Sequence, residues 1–292
     1  MIGFMEYVTF GNTGRTVSRL GFGGAVIGLK NYHREYDPKN AKDRDIAIKA
    51  IHTALDLGVT FFDTAAGYGD GESERIFGES LSVAPREKLF IATKLSFDGS
   101  PGSIRRSIEG SLERLKTDYV DLIQLHGNSW NDDREKNILK PGGFLDDMIQ
   151  AKEEGLVRHV GFTTEDNNRA VYNFIDDGRF EMYQICYNFV FQHCYDPNRP
   201  FGSMFEAEKK KMGIVVMRSP TSGIFQKWIK KVDPDNKKDY TRDLLQFVFS
   251  NPLVDVALVG MRSEERVRMN VEICNDKASR IDILKDLYTY YV

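Results

Sequence analysis

The chain has 292 residues, 41% hydrophobic and 28% charged, an ordinary balance for a globular protein. Its formal net charge of −3 at pH 7 lacks the positive excess of nucleic-acid-binding domains, so no nucleic-acid partner is expected. No apolar run is long enough to span a membrane and no signal pattern opens the chain, so a cytoplasmic protein is expected. Cys186, Cys194 and Cys274 follow no disulfide or zinc spacing, which indicates reduced thiols and no metal site.

The first twenty residues differ in pattern from the rest of the chain. Residues 7–10 and 16–19 are rich in β-branched and aromatic side chains, and they flank the turn-forming segment 11–14 (GNTG). This pattern predicts a β-hairpin with a loose turn. We expect the hairpin to cap the N-terminal end of the domain that follows.

Short apolar, β-branched runs recur from residue 20 onward. Continuous apolar runs of this length are typical of strands buried on both faces, as in parallel sheets. The predicted strands are 20–23, 59–63, 89–94, 120–126, 159–163, 182–187, 214–218 and 256–260.

Longer segments with helical periodicity separate these runs. In one of them, Ile104, Ile108, Leu112 and Leu115 form an apolar stripe, and Ser100 with the proline after it predicts the helix start. The predicted helices are 44–57, 73–81, 100–115, 144–154, 168–176, 204–212, 242–249 and 264–274.

Eight strand–helix units predict a closed parallel barrel, the (β/α)8 or TIM barrel of the α/β class. The hairpin would cap its bottom and a C-terminal helix would follow. The alternative, an open doubly wound sheet, usually carries an early GxGxxG fingerprint, which the cluster at 21–24 does not match. No linker or repeat divides the chain, so residues 1–292 are expected to form one domain.

Titratable side chains stand where the predicted strands end. Asp63, Lys94 and His126 end three consecutive strands, and Tyr68 lies in the glycine-rich turn after the first of them. Because the active site of a parallel barrel lies at the C-terminal ends of its strands, we expect these four groups to converge. A tyrosine can protonate a reduced carbonyl; a neighbouring ammonium lowers its pKa from about 10, and a neutral histidine can orient the carbonyl oxygen.

The motifs at 61–69 (FFDTAAGYG), 92–94 (ATK) and 121–126 (DLIQLH) resemble the signature of the aldo-keto reductase family, in the same order along nearly the whole chain. The resemblance implies reduction of an aldehyde or ketone with a reduced nicotinamide cofactor. It implies Tyr68 as the general acid, Lys94 and Asp63 as the pair that tunes it, and His126 as the group that orients the carbonyl.

The resemblance also implies a set of residues around the nicotinamide. The family usually has Ser-Asn where this chain has Thr163-Thr164, and many members have an aromatic residue near Met217. The residues implied at this end are Gly24, Thr163, Thr164, Gln184, Met217, Arg218 and Ser219.

A second set is implied at the adenosine 2′-phosphate, where a helix begins after Ser263. Helix N-terminal N–H groups and arginines suit an anion, but Glu264 and Glu265 oppose one, and Met269 replaces the usual glutamate. The residues implied are Gly260, Arg262, Ser263, Arg266 and Asn270. NADP is the expected cofactor, with NADPH preferred and NADH as the alternative.

The loops after the strands would supply the substrate wall, for which Tyr32, Phe97 and Trp130 are the candidates. Many family members have tryptophan directly after the catalytic histidine, whereas this chain has Gly127, so we expect a more open pocket. The asparagines at 128 and 131 suit a sugar or another hydroxylated carbonyl, or they are solvated loop residues.

Two other functions stay open at this point. A nucleotide-sensing binding protein could use the same barrel with little turnover, because a fold does not fix a function. A metal-dependent barrel hydrolase is less compatible with a chain that has five histidines and no HxH pair. The expected partner is a small carbonyl compound, and the sequence indicates no oligomeric state.

Overall fold

The computed structural model describes residues 5–96, 99–100, 102–195, 202–283 and 285. The chain opens with an antiparallel hairpin of two strands, β1 (Tyr7–Thr9) and β2 (Thr16–Ser18), in which Val8 pairs with Val17. The predicted hairpin is therefore confirmed.

Eight further strands run parallel and close into a barrel, in which β10 pairs with both β9 and β3. The strands are β3 (Leu20–Gly23), β4 (Phe61–Asp63), β5 (Phe90–Lys94), β6 (Val120–Leu125), β7 (Val157–Thr164), β8 (Met182–Cys186), β9 (Gly213–Met217) and β10 (Val256–Val259). Each predicted strand is present, and the (β/α)8 barrel is confirmed. The open doubly wound sheet is excluded because the strand order closes on itself.

Helices alternate with these strands around the barrel. They are α1 (Ala25–Gly28), α2 (Ala41–Asp56), α3 (Glu72–Ser80), α4 (Ser103–Leu115), α5 (Asp132–Leu139), α6 (Phe144–Glu153), α7 (Arg169–Asp177), α8 (Ser203–Lys209), α9 (Ile224–Val232), α10 (Thr241–Ser250) and α11 (Glu264–Asn275). Short 3-10 turns occupy Leu81–Val83, Arg86–Lys88, Thr221–Gly223 and Lys277–Ser279.

The helix predictions hold with three wrong boundaries and three omissions. Helix α2 begins at Ala41, three residues before its predicted start, and α8 ends at Lys209, three residues before its predicted end. Helix α4 begins at Ser103, not at residue 100, because Gly102 precedes it with a left-handed φ of 71°. The proline at 101 lies outside the described residues. Helices α1, α5 and α9 were not predicted, and the helix expected at the C-terminus falls mainly on residues 284 and 286–292, also outside them.

The barrel interior is filled below the strand ends by apolar side chains, and the hairpin contributes one of them. Phe10 is fully buried and packs edge-on against Phe61 and Phe90, with ring centroids 5.5 and 5.1 Å away. Because Phe61 and Phe90 are the first residues of their strands, the hairpin closes the N-terminal end of the barrel. The C-terminal end is left open for a site.

Cys186, Cys194 and Cys274 are all buried free thiols. Within the part of the chain that the structure describes, no helix combines the length and apolar character needed to cross a bilayer.

Candidate active site at the C-terminal mouth of the barrel

The structure brings the four predicted catalytic side chains to one cavity of about 500 Å³ at the open end of the barrel. Asp63 and Lys94 are the last residues of β4 and β5, His126 follows β6 directly, and Tyr68 comes from the loop after β4. Parallel strands in register place these ends side by side, which is why residues far apart in sequence meet here.

Asp63 and Lys94 form a buried ion pair at the floor of the cavity. Lys94 Nζ donates to Asp63 Oδ2 over 2.5 Å and to the Thr64 carbonyl oxygen over 2.9 Å, and both charged side chains are almost fully buried. Burial lowers the pKa of Lys94, but the negative charge of Asp63 and contact with Tyr68 outweigh it, so the net direction is upward. The lysine is therefore held as an ammonium.

Tyr68 lies over this ammonium, with Lys94 Nζ 5.0 Å from its ring centroid. The loop needs glycine to place it: Gly69 has a φ of 67°, and a Cβ there would lie 2.0 Å from the Gly28 carbonyl oxygen. Burial raises the pKa of Tyr68 and Lys94 acts to lower it. The effect of burial is larger than that of the lysine, so the pKa of Tyr68 lies above its usual value and not below it as the sequence predicted.

His126 lines the opposite side of the cavity, with its ring edge-on to Tyr68 at a centroid distance of 5.7 Å. Its ring stays open to the cavity, yet the surrounding protein removes enough solvent to lower the pKa, and Lys94 adds to the effect, giving a value of about 4. His126 is thus neutral at physiological pH, as the chemistry predicted from the sequence requires.

Most of the residues predicted for the nicotinamide end reach this cavity. Gln184 is buried, its Nε2 lies 3.6 Å from the Met217 sulfur, and its Oε1 has no partner among the described residues. An unsatisfied oxygen on a residue that lines a cavity fits a ligand that donates a hydrogen bond, as a carboxamide does. The predicted residues that line the cavity are Gly24, Tyr32, Thr163, Gln184, Met217, Arg218 and Gly260.

Two predicted residues do not reach it. The Thr164 hydroxyl donates to the Asn128 carbonyl oxygen in the loop after β6 and accepts from the Asp166 N–H in the loop after β7. The Ser219 hydroxyl donates to the Leu258 carbonyl oxygen over 3.2 Å. Both side chains are fully buried and brace neighbouring loops, while Asn128 itself lines the cavity.

An ion pair that the sequence did not reveal crosses the rim of the cavity. Arg218 Nη2 lies 2.5 Å from Glu165 Oε1, and both residues line the cavity. Arg218 adopts a φ of 58°, and its carbonyl oxygen accepts bonds from the Asn188 side chain and the Thr221 N–H. His33, Arg34 and Lys227 also line the cavity; they lie in loops and a helix for which the sequence offered no motif.

A groove of about 860 Å³ continues from this cavity toward the start of α11. The two spaces share wall residues, including Val26, Arg34 and Gly260. The predicted residues that line the groove are Gly260, Arg262, Ser263, Arg266 and Asn270. The two sets of nucleotide-binding candidates therefore border one continuous cleft.

Polar atoms in this groove lack partners. Arg262 lies 4.6 Å above the ring of Tyr36, and neither its Nη1 nor the Oδ1 of buried Asn270 has a hydrogen-bond partner within the described ranges. The Ser263 hydroxyl caps α11 by accepting from the Arg266 N–H, as predicted. A free guanidinium nitrogen and a helix N-terminus fit an adenosine 2′-phosphate. The free amide oxygen fits a hydrogen-bond donor, such as the amino group of an adenine.

A third cavity, of about 890 Å³, adjoins His126 on the other side. Trp130 forms part of its wall and donates from Nε1 to the Thr163 carbonyl oxygen over 2.9 Å. A Cβ on Gly127 would lie 2.3 Å from this indole, so Trp130 fills the space beside the histidine and limits the opening expected there. Asn131 caps α5, and Phe97 lies outside the described residues.

The structure is thus a parallel barrel with four titratable side chains, Asp63, Tyr68, Lys94 and His126, at its C-terminal mouth. A long cleft begins at these side chains. The model of the Aldo/keto reductase family matches residues 19–244, most of the chain. The chain belongs to this family of oxidoreductases.

Individual proteins show the same relationship. L-galactose dehydrogenase of Arabidopsis thaliana is 33% identical over 174 residues, which are 54% of this chain and 48% of that protein. An NADH-specific methylglyoxal reductase of Escherichia coli is 28% identical over 206 residues, 64% of this chain and 60% of that protein. The alignment with the Arabidopsis protein thus spans about half of that protein's length.

A solved structure agrees in fold. The aldo/keto reductase of Klebsiella pneumoniae, determined in complex with NADP and acetate, superposes with a TM-score of 0.72 and covers 98% of this chain and 95% of its own, at 21% identity. The barrel architecture is therefore shared over nearly the whole length.

Proposed function

We propose that the protein reduces an aldehyde or ketone to the alcohol with NADPH, and that Tyr68 donates the proton. The observation that supports this most strongly is the single cavity in which Tyr68 contacts the Lys94–Asp63 ion pair and faces a neutral His126.

In this proposal each side chain has a distinct role. His126, being neutral, donates an N–H to the carbonyl oxygen and orients it. Tyr68 gives its proton to the oxygen as negative charge develops there, and the Lys94 ammonium stabilises the phenolate that remains. Asp63 keeps Lys94 charged and directed at Tyr68. The bound cofactor would supply the hydride.

The residues present fit a nicotinamide dinucleotide along the cleft. Gln184 and Thr163 would contact the carboxamide, Gly24, Met217 and Arg218 would line the nicotinamide end, and Thr164 and Ser219 would support it from behind. The free Nη1 of Arg262, with Arg266 and the start of α11, would hold the 2′-phosphate, which favours NADPH over NADH. Gly260, Ser263 and Asn270 would complete the adenosine end.

We propose a small hydroxylated or dicarbonyl compound as the substrate, bound between Tyr32 and Trp130 beside His126. The third cavity has a mixed lining, with Ser96 and Asn137 beside Leu95 and Ile138, which suits a polar compound with a carbon skeleton. The names of the two relatives, for a sugar and for methylglyoxal, agree with this class.

The test is to titrate the purified protein with NADPH and NADH by fluorescence, then add a panel of small aldehydes and follow cofactor oxidation. We expect tighter binding of NADPH and turnover with part of the panel. Binding without turnover of any carbonyl would favour the nucleotide-sensing alternative. Failure to bind either nucleotide would contradict the proposal altogether.

A further inference from the structure

Gln124 stands beneath the catalytic cavity without belonging to its surface. It lies on β6, two residues before His126, and pairs in register with Lys94 on β5. Its side chain is completely buried. The alternation of a strand turns Gln124 to the barrel interior, on the side of the ion pair.

The amide of Gln124 completes the hydrogen bonding of Asp63. Asp63 Oδ2 accepts from Lys94 Nζ over 2.5 Å, and its Oδ1 accepts from Gln124 Nε2 over 3.1 Å. Among the described residues, Gln124 is the only hydrogen-bond donor to Asp63 Oδ1. Burial raises the pKa of Asp63, and Lys94 and then the bond from Gln124 act to lower it. This bond therefore favours the ionised carboxylate against the effect of burial.

The hydrogen bond to Asp63 determines the orientation of the Gln124 amide. Gln124 Oε1 is buried and has no hydrogen-bond partner in the described part of the chain. Rotating the amide would turn this oxygen toward the Asp63 carboxylate, so that two acceptors would face each other. The side chain thus leaves its own carbonyl unsatisfied in order to keep its donor on Asp63.

We infer that Gln124 is a positioning residue for catalysis, which holds Asp63 ionised and aligned so that Lys94 remains an ammonium directed at Tyr68. The inference rests on the proposed role of Tyr68 as proton donor. The amide bonds to Asp63 on β4, and Gln124 pairs in register with Lys94 on β5. The other titratable groups of the cavity above this pair are Tyr68, in the loop after β4, and His126, after β6.

Two substitutions of similar size separate positioning from packing. Gln124→Met keeps the volume but removes the donor, so the pKa of Asp63 rises and Lys94 loses its counter-charge as the pH falls. We expect kcat to drop about 10-fold or more, with the loss greatest at low pH and with nucleotide affinity unchanged. Gln124→Glu can still donate when protonated, so its activity should approach wild type at low pH and fall as the pH rises.

The matched control is Gln246→Met. Gln246 is another buried glutamine, on α10, where its amide donates to the Ile273 and Asp276 carbonyl oxygens outside the cavity. Its substitution should lower stability without changing the shape of the pH–rate profile.

The experiment measures pH–rate profiles, nucleotide dissociation constants and unfolding for all four proteins, and titrates the Asp63 carboxyl by infrared or NMR spectroscopy. Opposite pH slopes for the two Gln124 variants, with a raised Asp63 pKa in Gln124→Met, support the inference. A Gln124→Met profile that matches wild type, or an unshifted Asp63 titration, overturns it. A shifted titration in a protein that turns over no carbonyl would contradict the proposed function instead.

Discussion

The two ends of the cleft differ in how their charged groups are satisfied. At the catalytic end, Asp63 and Lys94 are buried and neutralise each other over 2.5 Å, and Gln124 occupies the remaining carboxylate oxygen. At the nucleotide end, Arg262 and Asn270 present polar atoms that have no partner among the described residues. The charges of the catalytic pair are therefore satisfied inside the protein, whereas the unpartnered guanidinium nitrogen of Arg262 has no such partner.

This difference indicates which end of the cleft contributes to folding stability and which end contributes to ligand affinity. Buried charges that pair within the protein affect both its stability and its chemistry, because removing one partner leaves the other as an uncompensated buried charge. Polar groups that a ligand satisfies affect affinity and leave the fold intact. The catalytic end and the nucleotide end should therefore respond to mutation independently.

The largest effect is expected from breaking the catalytic pair. Lys94→Met leaves Asp63 buried without a counter-charge and Tyr68 without its ammonium. We expect turnover to fall by about 10³-fold or more and the free energy of unfolding to fall by about 3–5 kcal/mol. Steady-state kinetics and urea denaturation measure the two losses.

The control for this variant is Lys49→Met, which removes an exposed lysine paired with Asp45 on α2. It should leave both quantities almost unchanged, because exposed ion pairs contribute little. If Lys94→Met unfolds at the wild-type urea concentration, the buried pair does not have the role described here.

The nucleotide end should give an effect on binding alone. Arg262→Ala removes the guanidinium that faces the groove, so we expect about 10-fold weaker NADPH binding, a smaller change for NADH, and unchanged stability. Arg268→Ala is the matched control, since Arg268 lies on the same helix, pairs with Glu264 and does not line the groove. Equal losses for NADPH and NADH would contradict a 2′-phosphate contact.

A smaller effect is expected at the wall of the third cavity. Gly127→Ala places a Cβ against Trp130 and forces the indole away from the Thr163 carbonyl oxygen. We expect a loss of about 1–3 kcal/mol in the free energy of unfolding and a change in KM for the carbonyl, with NADPH affinity retained. Trp130→Leu added to Gly127→Ala should recover part of the stability, and purely additive losses would show that the two positions are uncoupled.

The smallest effect is expected from pH across the neutral range. The pKa of His126 is lowered to about 4, so its imidazole stays neutral until the solution is strongly acidic, and the raised pKa of Tyr68 keeps its proton available in alkaline solution. We expect kcat/KM for reduction to change less than about 2-fold between about pH 6 and pH 9 and to fall as the pH approaches 4. A midpoint near pH 7 would show that His126 titrates normally.

The sequence predicted the barrel and the convergence of the four candidate catalytic side chains for the same reason. Strands buried on both faces must be apolar throughout, so a polar residue that ends such a run, as Asp63 and Lys94 do, stands out. Their convergence then follows from parallel topology. Arg262 and Asn270 were predicted in another way, from the family resemblance and the predicted start of the last helix.

Other features depend on contacts that a linear sequence does not encode. Gln124 is polar within an apolar run, but only the distance to Asp63 shows that its amide has a partner. Nothing in the sequence pairs Glu165 with Arg218, because their loops are separated by β8. Thr164 and Ser219 carry suitable hydroxyls, yet these are already hydrogen-bonded to backbone groups of the protein.

The most direct test of the central claim is a single-turnover measurement on Tyr68→Phe. Each protein is loaded with NADPH, mixed with a carbonyl that the wild type reduces, and followed by loss of the reduced cofactor, with Tyr172→Phe on α7 as the matched tyrosine control. We predict that Tyr68→Phe binds NADPH as the wild type does but reacts about 10²–10⁴-fold more slowly, while the control is unaffected. Reaction of Tyr68→Phe at the wild-type rate would contradict the assignment of Tyr68 as the proton donor.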